Sequence, residues 1–263
     1  MSAQSTSLSF ERCHAVTSHW EGGWSDHKSD PGGKTMYGIT EKVWIAWNKA
    51  KGILKPKPVR QITRSEAEEI YFKNYWLASG CDKLKPGVDL CTYDSSVNSG
   101  VSRARSWLKA SIGGSDLETV RKMCAKRLSF LRALKNFAVF GKGWVNRVTD
   151  VEAKATKLVL ENEGAGKNTV SITLKTGAQT ATKNAAKADT RVKISGGATT
   201  VAGGGTYVAP DTVPVDAVTS NADIISTWLL GGVITVGLVV VAYFLIRSMI
   251  EKSRAKSFEG VAA

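Results

Sequence analysis

With 263 residues, 43% of them hydrophobic and 22% charged, the chain can bury a core of about 150 residues and is too apolar to be disordered throughout. Its formal net charge of +13 calls for an anionic partner, either an acidic envelope polymer or a nucleic acid. Four cysteines without a Cys-x-x-Cys spacing, and His14, His19 and His27 without a metalloprotease pattern, give no ground for a metal site or a cofactor.

The first predicted element is a helix capped by Ser9, on which Phe10, Cys13, Val16, Thr17 and Trp20 fall near helical spacing and which Gly22 and Gly23 stop. Glu21 then sits at a helix C-terminus. There the negative end of the helix dipole and burial against Trp20 or Trp24 disfavour the carboxylate, so that Glu21 keeps the proton a glycosidic oxygen needs. Nine residues on, Asp30 precedes Pro31 and the turn-forming Gly32 and Gly33, a setting in which a carboxylate stays solvated and ionised. Residues 34–39 read as a short strand or hairpin arm carrying Thr35, whose hydroxyl can hold an attacking water beside Asp30; Thr40 caps the next helix. Taken singly, a glutamate beside two glycines is a solvated helix end and Asp-Pro-Gly-Gly is a turn.

Taken in order, Glu21-Gly22-Gly23-Trp24, Asp30-Pro31-Gly32-Gly33 and Thr35-Met36-Tyr37-Gly38-Ile39-Thr40 resemble the signature of glycoside hydrolase family 108, the bacterial and phage N-acetylmuramidases. The resemblance runs over about residues 8 to 80, through Tyr71, Tyr75 and Trp76, which look like that family's Tyr-x-x-x-Tyr-Trp helix. It implies that Glu21 is the catalytic acid, that the fold is lysozyme-like, and that the β-1,4 bond between N-acetylmuramic acid and N-acetylglucosamine is cut. A second block, with Tyr93-Asp94, Asn98, Arg103, Trp107-Leu108 and the run from Phe140 through Trp144 to Val148, is similar to the peptidoglycan-binding segment that usually follows. It spans about residues 84 to 157 and lacks the Asp-Gly-x-x-Gly-x-x-Thr stretch usual there. The order Glu21, Asp30, Thr35 also resembles the triad of phage-type lysozymes, with the Asp-to-Thr interval one residue shorter.

Thr63 and Glu66 form a capping box opening a helix that Gly80 ends, and further helices are predicted over 94–100, 102–110, 117–137 and 144–160. In the long helix near residue 120, Arg121, Lys122, Lys126, Arg127, Arg132 and Lys135 make a basic stripe. Leu117, Val120, Met123 or Cys124, Leu128, Leu131 and Leu134 supply the opposite apolar face. A solvated face explains that stripe, and no base-reading motif accompanies it, so no specific nucleic acid is expected. Trp24, Tyr37, Asp94, Asn98 and Trp144 are the candidate substrate-binding residues, since sugars stack on aromatic rings and hydrogen-bond with amides and carboxylates; for Tyr37, Asn98, Trp144 and a further aromatic, Trp76, core or helix packing is the stronger reading of the sequence. Cys13 and Cys124 read as core thiols, while Cys81 and Cys91 can pair in an oxidising compartment.

The expected architecture is therefore all-α and lysozyme-like with a small β-hairpin: a catalytic part over 1–83 and a helical wall-binding part over 84–160, packed as one globule. Residues 161–222, rich in Gly, Ala, Thr, Ser and Lys, read as a flexible linker spanning roughly 40–50 Å. Residues 224–246 carry no charge, with Trp228 near one end and Tyr243-Phe244 near the other, so 223–248 reads as a single transmembrane helix before a short basic tail, 249–263. Arg247, Lys252, Arg254 and Lys256 after that helix place the tail in the cytoplasm and the enzyme in the periplasm. The first twenty residues have neither a basic n-region nor an apolar h-region, so export by an ordinary signal is not expected. Residues 1–160 hold 26 Lys and Arg against 15 Asp and Glu, a charge of +11 that suits an anionic wall.

The function expected from all of this is a muramidase of peptidoglycan, tethered to the bacterial inner membrane and acting as an endolysin in lysis. The alternatives are a muramidase serving a secretion or particle-release apparatus, and a wall-binding membrane anchor without turnover.

Overall fold

A computed structural model describes residues 3–26, 33–202 and 221–263, with side chains described over 7–26, 33–195 and 238–263. The chain divides into two units, one of residues 1–174 with 261–263 and one of residues 175–260.

The first unit is built around α4 (Val88–Ser99), whose residues from Val88 to Ser96 are all buried. Helices α1 (Ala3–Ser18), α5 (Val101–Lys109), α6 (Asp116–Arg132) and α7 (Phe137–Asn162) pack around it. Leu90, Cys91 and Tyr93 of α4 meet Val120, Met123 and Cys124 of α6 and Val145, Val148 and Val151 of α7 in a core of near-zero exposure. Burying aliphatic side chains of this size stabilises the fold by about 1.5–3 kcal/mol each. α1 is held to α4 by polar contacts as well: Arg12 pairs with Asp89 at 2.7 Å, and His14 Nδ1 lies 2.8 Å from the Tyr93 hydroxyl.

Between α1 and α4 lie a two-residue-stranded hairpin and two helices, α2 (Glu41–Ala50) and α3 (Arg64–Tyr71). β1 (Thr35–Met36) and β2 (Ile39–Thr40) pair antiparallel, Thr35 with Thr40 and Met36 with Ile39. The two residues between them, Tyr37 at φ +50° and Gly38 at φ +75°, both take the left-handed conformation that a tight two-residue hairpin turn requires. Thr40 caps α2 through the Val43 amide, and Thr63 and Glu66 form the predicted capping box on α3. After Tyr71 the helix widens into a π-helical turn over Phe72–Leu77, and Gly80 at φ +78° ends it. A second capping box, Ser115 with Glu118, opens α6.

Several boundaries differ from those expected. α1 begins at Ala3, not at a Ser9 cap, and its α-helical turns end at Ser18, so Glu21 lies three residues beyond the helix, in a turn closed by its own amide on Ser18. α4 starts six residues before Asp94, because Gly87 at φ +91° brings its backbone against Ala155 and Val159 of α7 where a Cβ would collide. α7 begins at Phe137, immediately after the turn that ends α6.

The segment expected to be a flexible linker is helical over much of its length: α8 spans Lys167–Ala202. Its low content of large apolar residues concealed a stripe at helical spacing, Leu174, Ala178, Ala181, Ala185 and Ala188, all buried. Alanine is the strongest helix former and lets a neighbouring helix approach closely. In the second unit that neighbour is α9 (Asn221–Ala262): Phe258 packs over Gly177, Ser248 donates to Asp189 at 2.6 Å, and Lys252 pairs with Asp189 at 2.9 Å. Residues 203–220 of the expected linker lie outside the described residues.

Among the described residues no helix is long and apolar enough to cross a membrane. The expected span, 224–246, lies within α9, but the side chains of its residues 224–237 are outside those described. The described remainder exposes Leu238, Val239, Tyr243 and Leu245.

Candidate active site

The turn after α1 is fixed from both sides by α7. Trp20 Nε1 donates to Asp150 at 3.2 Å, and one helical turn earlier Arg147 Nη1 meets Glu21 Oε1 at 2.8 Å. Arg147 is itself anchored inward, through Nε and Nη2, on the carboxylate of Asp94, with the shortest contact 2.8 Å. Arg127 of α6 reaches the same carboxylate at 2.6 Å and Asn98 at 3.0 Å. Asp94 is fully buried and Arg127 nearly so, whereas the Glu21 side chain is 20% exposed. The four charged groups thus form a chain running from the core to the surface and ending at one carboxylate.

Burial by itself would raise the Asp94 carboxyl, but the charges of Arg127 and Arg147 and their hydrogen bonds outweigh it and hold Asp94 below the ordinary carboxylate range. Burial likewise opposes the charge on Arg147, and Asp94 and then Glu21 more than restore it. Arg147 is therefore a fixed cation, and it occupies one oxygen of Glu21.

The other oxygen, Oε2, is turned toward the hairpin. A Cβ placed on Gly38 would lie 2.8 Å from Glu21 Oε2 and closer still to the Tyr71 hydroxyl, so the positive-φ glycine both makes the turn and leaves room for the carboxylate. Tyr71 donates to the Tyr37 carbonyl at 2.9 Å, tying α3 to the same turn. Glu21 opens into a cleft of ≈ 230 Å³ between α1, the hairpin and α3, whose walls include His14, Ser18, Tyr37, Arg64 and Glu68. His14 is driven down to about 4, by burial first and by Arg64 second, so it stands neutral in the wall at physiological pH. A carboxyl group with one oxygen held by a guanidinium and the other turned toward the Tyr37-Gly38 turn, at the wall of an open polar cleft, is placed to exchange a proton with an oxygen atom bound there.

A family model described as Glycosyl hydrolase 108 matches residues 14–100. The solved structure of Brucella abortus SagA is 33% identical to this chain and superposes with a TM-score of 0.51, the match covering 57% of this chain and 95% of SagA. The chain belongs to glycosyl hydrolase family 108. No curated protein matches the chain.

Membership of family 108 makes the protein a glycoside hydrolase of the N-acetylmuramidase, lysozyme type, and points its activity at peptidoglycan. The family 108 match takes in Glu21 together with the cleft-lining His14, Tyr37, Arg64, Glu68 and Tyr71, whereas Arg127 and Arg147 lie beyond it.

The expected site residues fall into separate groups. Glu21 and Tyr37 line one cleft. Asp30 lies outside the described residues. Thr35 is on β1, half-buried, with its hydroxyl donating to the Gly33 carbonyl at 3.1 Å, and it is not among the residues lining the Glu21 cleft. Trp24 belongs to a different hollow, of ≈ 200 Å³, with Asp26, Lys34 and Glu41, and stacks under Arg60 at 5.1 Å. Of Asp94 and Asn98, expected to bind sugar, Asp94 is buried with both oxygens taken by two guanidiniums, and half-buried Asn98 accepts from Arg127 through Oδ1. Trp144 packs on Phe137 and Phe140 at the start of α7, as a helix-packing residue does. Trp76 is fully buried against Phe10 and Tyr93.

The surroundings expected to hold a proton on Glu21, a helix end and a tryptophan wall, are replaced by a guanidinium. Trp24 is 36% exposed and stacks elsewhere. Neither Arg147 nor Arg127 is among the expected site residues. Arg127 was assigned to the basic stripe, although its position seven residues after Val120 and three after Cys124 places it on the apolar face.

Proposed function

We propose that the protein cleaves the β-1,4 bond between N-acetylmuramic acid and N-acetylglucosamine, with Glu21 as general acid and with Asp30 and Thr35 preparing the water. The observation that carries this reading is the asymmetric setting of Glu21 at the cleft wall: Oε1 is committed to Arg147, which leaves Oε2, beside the hairpin turn, as the oxygen from which a proton would pass to the leaving oxygen. Arg147, oriented by Asp94 and Arg127, acts as a positioning residue. The charge of +11 on residues 1–160 supports an anionic polymer as substrate.

Asp30 would deprotonate water on the opposite face of the sugar, which requires a carboxyl separation of about 6.5–9.5 Å and yields inversion; a separation of about 5 Å would go with retention. Asp30→Asn is expected to lower turnover by about 10²-fold or more while leaving the thermal midpoint unchanged, and the first product should form with the inverted anomeric configuration in a time-resolved NMR assay. Turnover close to wild type would reduce Asp30 to a turn residue.

The uncharged run 224–246 supports a tether to the bacterial inner membrane, and the exposed apolar side chains at 238, 239, 243 and 245 are a surface that lipid would cover. Asp189 precedes the run and Ser248 follows it, so a span with its two flanks on opposite faces of the bilayer requires their hydrogen bond to open. The full chain is expected to float with anionic phospholipid vesicles, and Val239→Asp with Leu245→Asp to leave it in the dense fraction; equal flotation of both would remove the tether. With such a tether the enzyme would act as an endolysin in cell lysis, from the periplasmic face of the membrane. The same catalysis would equally serve a muramidase that opens the wall for a secretion or particle-release apparatus.

A further inference from the structure

The four cysteines are all reduced and buried, and they do not occupy equivalent places. Cys13 lies on α1, and Cys81 Sγ is 3.3 Å from the Ser79 hydroxyl. Cys91 on α4 and Cys124 on α6 face each other with their sulfurs 3.5 Å apart, each 1% exposed. The expected partner of Cys91 was Cys81; the fold brings it to Cys124 instead.

The surroundings of this contact give it a consequence. Asp94 follows Cys91 by three residues on α4, and Arg127 follows Cys124 by three residues on α6. The two helices therefore run side by side in the same direction, with the thiol pair on one rung and the Asp94–Arg127 ion pair, 2.6 Å, on the next. The second rung orients Arg147, and Arg147 holds Glu21.

We propose that Cys91 and Cys124 are an oxidation site, closing to a disulfide that staples α4 to α6 directly beneath the ion-pair cluster behind Glu21. The bond needs a sulfur separation of about 2.05 Å, so the two thiols close by about 1.5 Å, a movement within reach of side-chain rotation and a small helix shift. The chemistry is thiol–disulfide exchange. One cysteine thiolate attacks a small-molecule disulfide such as oxidised glutathione and releases one reduced glutathione. The second cysteine then displaces the other, so that two S–H bonds are lost, one S–S bond forms, and both electrons and both protons leave in two glutathione thiols. The Cys91 contact and burial both hold Cys124 in the thiol form, so the exchange takes place while the chain folds, before the core closes over it. The closed loop covers 33 residues, including all of α5, and the oxidising side of a membrane is where such a staple forms and persists. The site does not depend on which glycosidic bond the enzyme cuts.

The full chain, unfolded in guanidinium and refolded in a glutathione redox buffer, then alkylated, digested and mapped by mass spectrometry, tests this. The expected product is about 2 Da lighter than the reduced chain, with Cys91 linked to Cys124 and with Cys13 and Cys81 both alkylated. Its denaturation midpoint should lie above that of the reduced chain and return on addition of a reductant. Cys81→Ala should keep both the link and the shift, and Cys124→Ser should lose the shift. Four alkylated cysteines after redox refolding, or a Cys81–Cys91 link, would overturn the proposal.

Discussion

Glu21→Gln is expected to lower turnover of purified peptidoglycan by about 10²–10⁴-fold while leaving substrate binding and the denaturation midpoint close to those of the parent. Glutamine has nearly the same shape, and its amide oxygen can still accept from Arg147, so the clamp on one side of residue 21 survives. What it lacks is a carboxyl oxygen able to carry a proton and release it. Arg147 keeps its bidentate anchor on Asp94, and the partly exposed Glu21 contributes little to the core, so folding should change little. The loss should appear in kcat with KM preserved, as it does when an interaction made only in the transition state is removed. Release of new reducing ends from sacculi at the parental rate would take Glu21 out of the chemistry.

Asp94→Asn should have the largest effect on stability of any single change at the site, a loss of about 3–5 kcal/mol in denaturant unfolding at neutral pH. The carboxylate is fully buried between two guanidiniums that are themselves almost wholly enclosed, and removing its charge leaves both cations in the interior without their shared counter-ion. The pH dependence carries the same signature. Asp94 titrates below the ordinary carboxylate range in the folded state, so its contribution is fully present above the unfolded value of about 3.9 and is lost as pH falls through the folded value. The gap between parent and variant should therefore be constant near neutrality and shrink only on acidification below about pH 4. Turnover should also fall under conditions where the variant remains folded, because Arg147 loses the anchor that aims it at Glu21. A variant as stable as the parent would show that the cluster is not a stabilising element of the core.

Where the sequence could be read, local signals were strong. The capping box at Thr63 and Glu66, the Thr40 cap and the two-residue turn at Tyr37-Gly38 follow from side-chain chemistry within a few residues, and the structure has each of them. Glu21 stands out in the sequence because a carboxylate beside glycines, in a fixed order with other motifs, is unusual jointly though ordinary singly. What supports Glu21 does not. Asp94, Arg127 and Arg147 lie on three helices, 33 and 53 residues apart, and nothing in a linear pattern joins them. Arg127 was masked by charged neighbours: in a run as basic as Arg121 to Lys135, one inward-facing arginine looks like part of a solvated stripe. The helix over Lys167–Ala202 is hidden in the sequence for a different reason. Few large apolar residues suggested chain without a core, whereas a stripe of alanines at helical spacing needs only a close-packed partner to be buried, and α9 supplies one.

The most direct test is digestion of purified peptidoglycan by the full chain, with the new ends reduced by borohydride and the muropeptides identified by mass. Products reduced at N-acetylmuramic acid, made by the parent and absent with Glu21→Gln, are the expected result. Products reduced at N-acetylglucosamine, or equal release by both proteins, would contradict it.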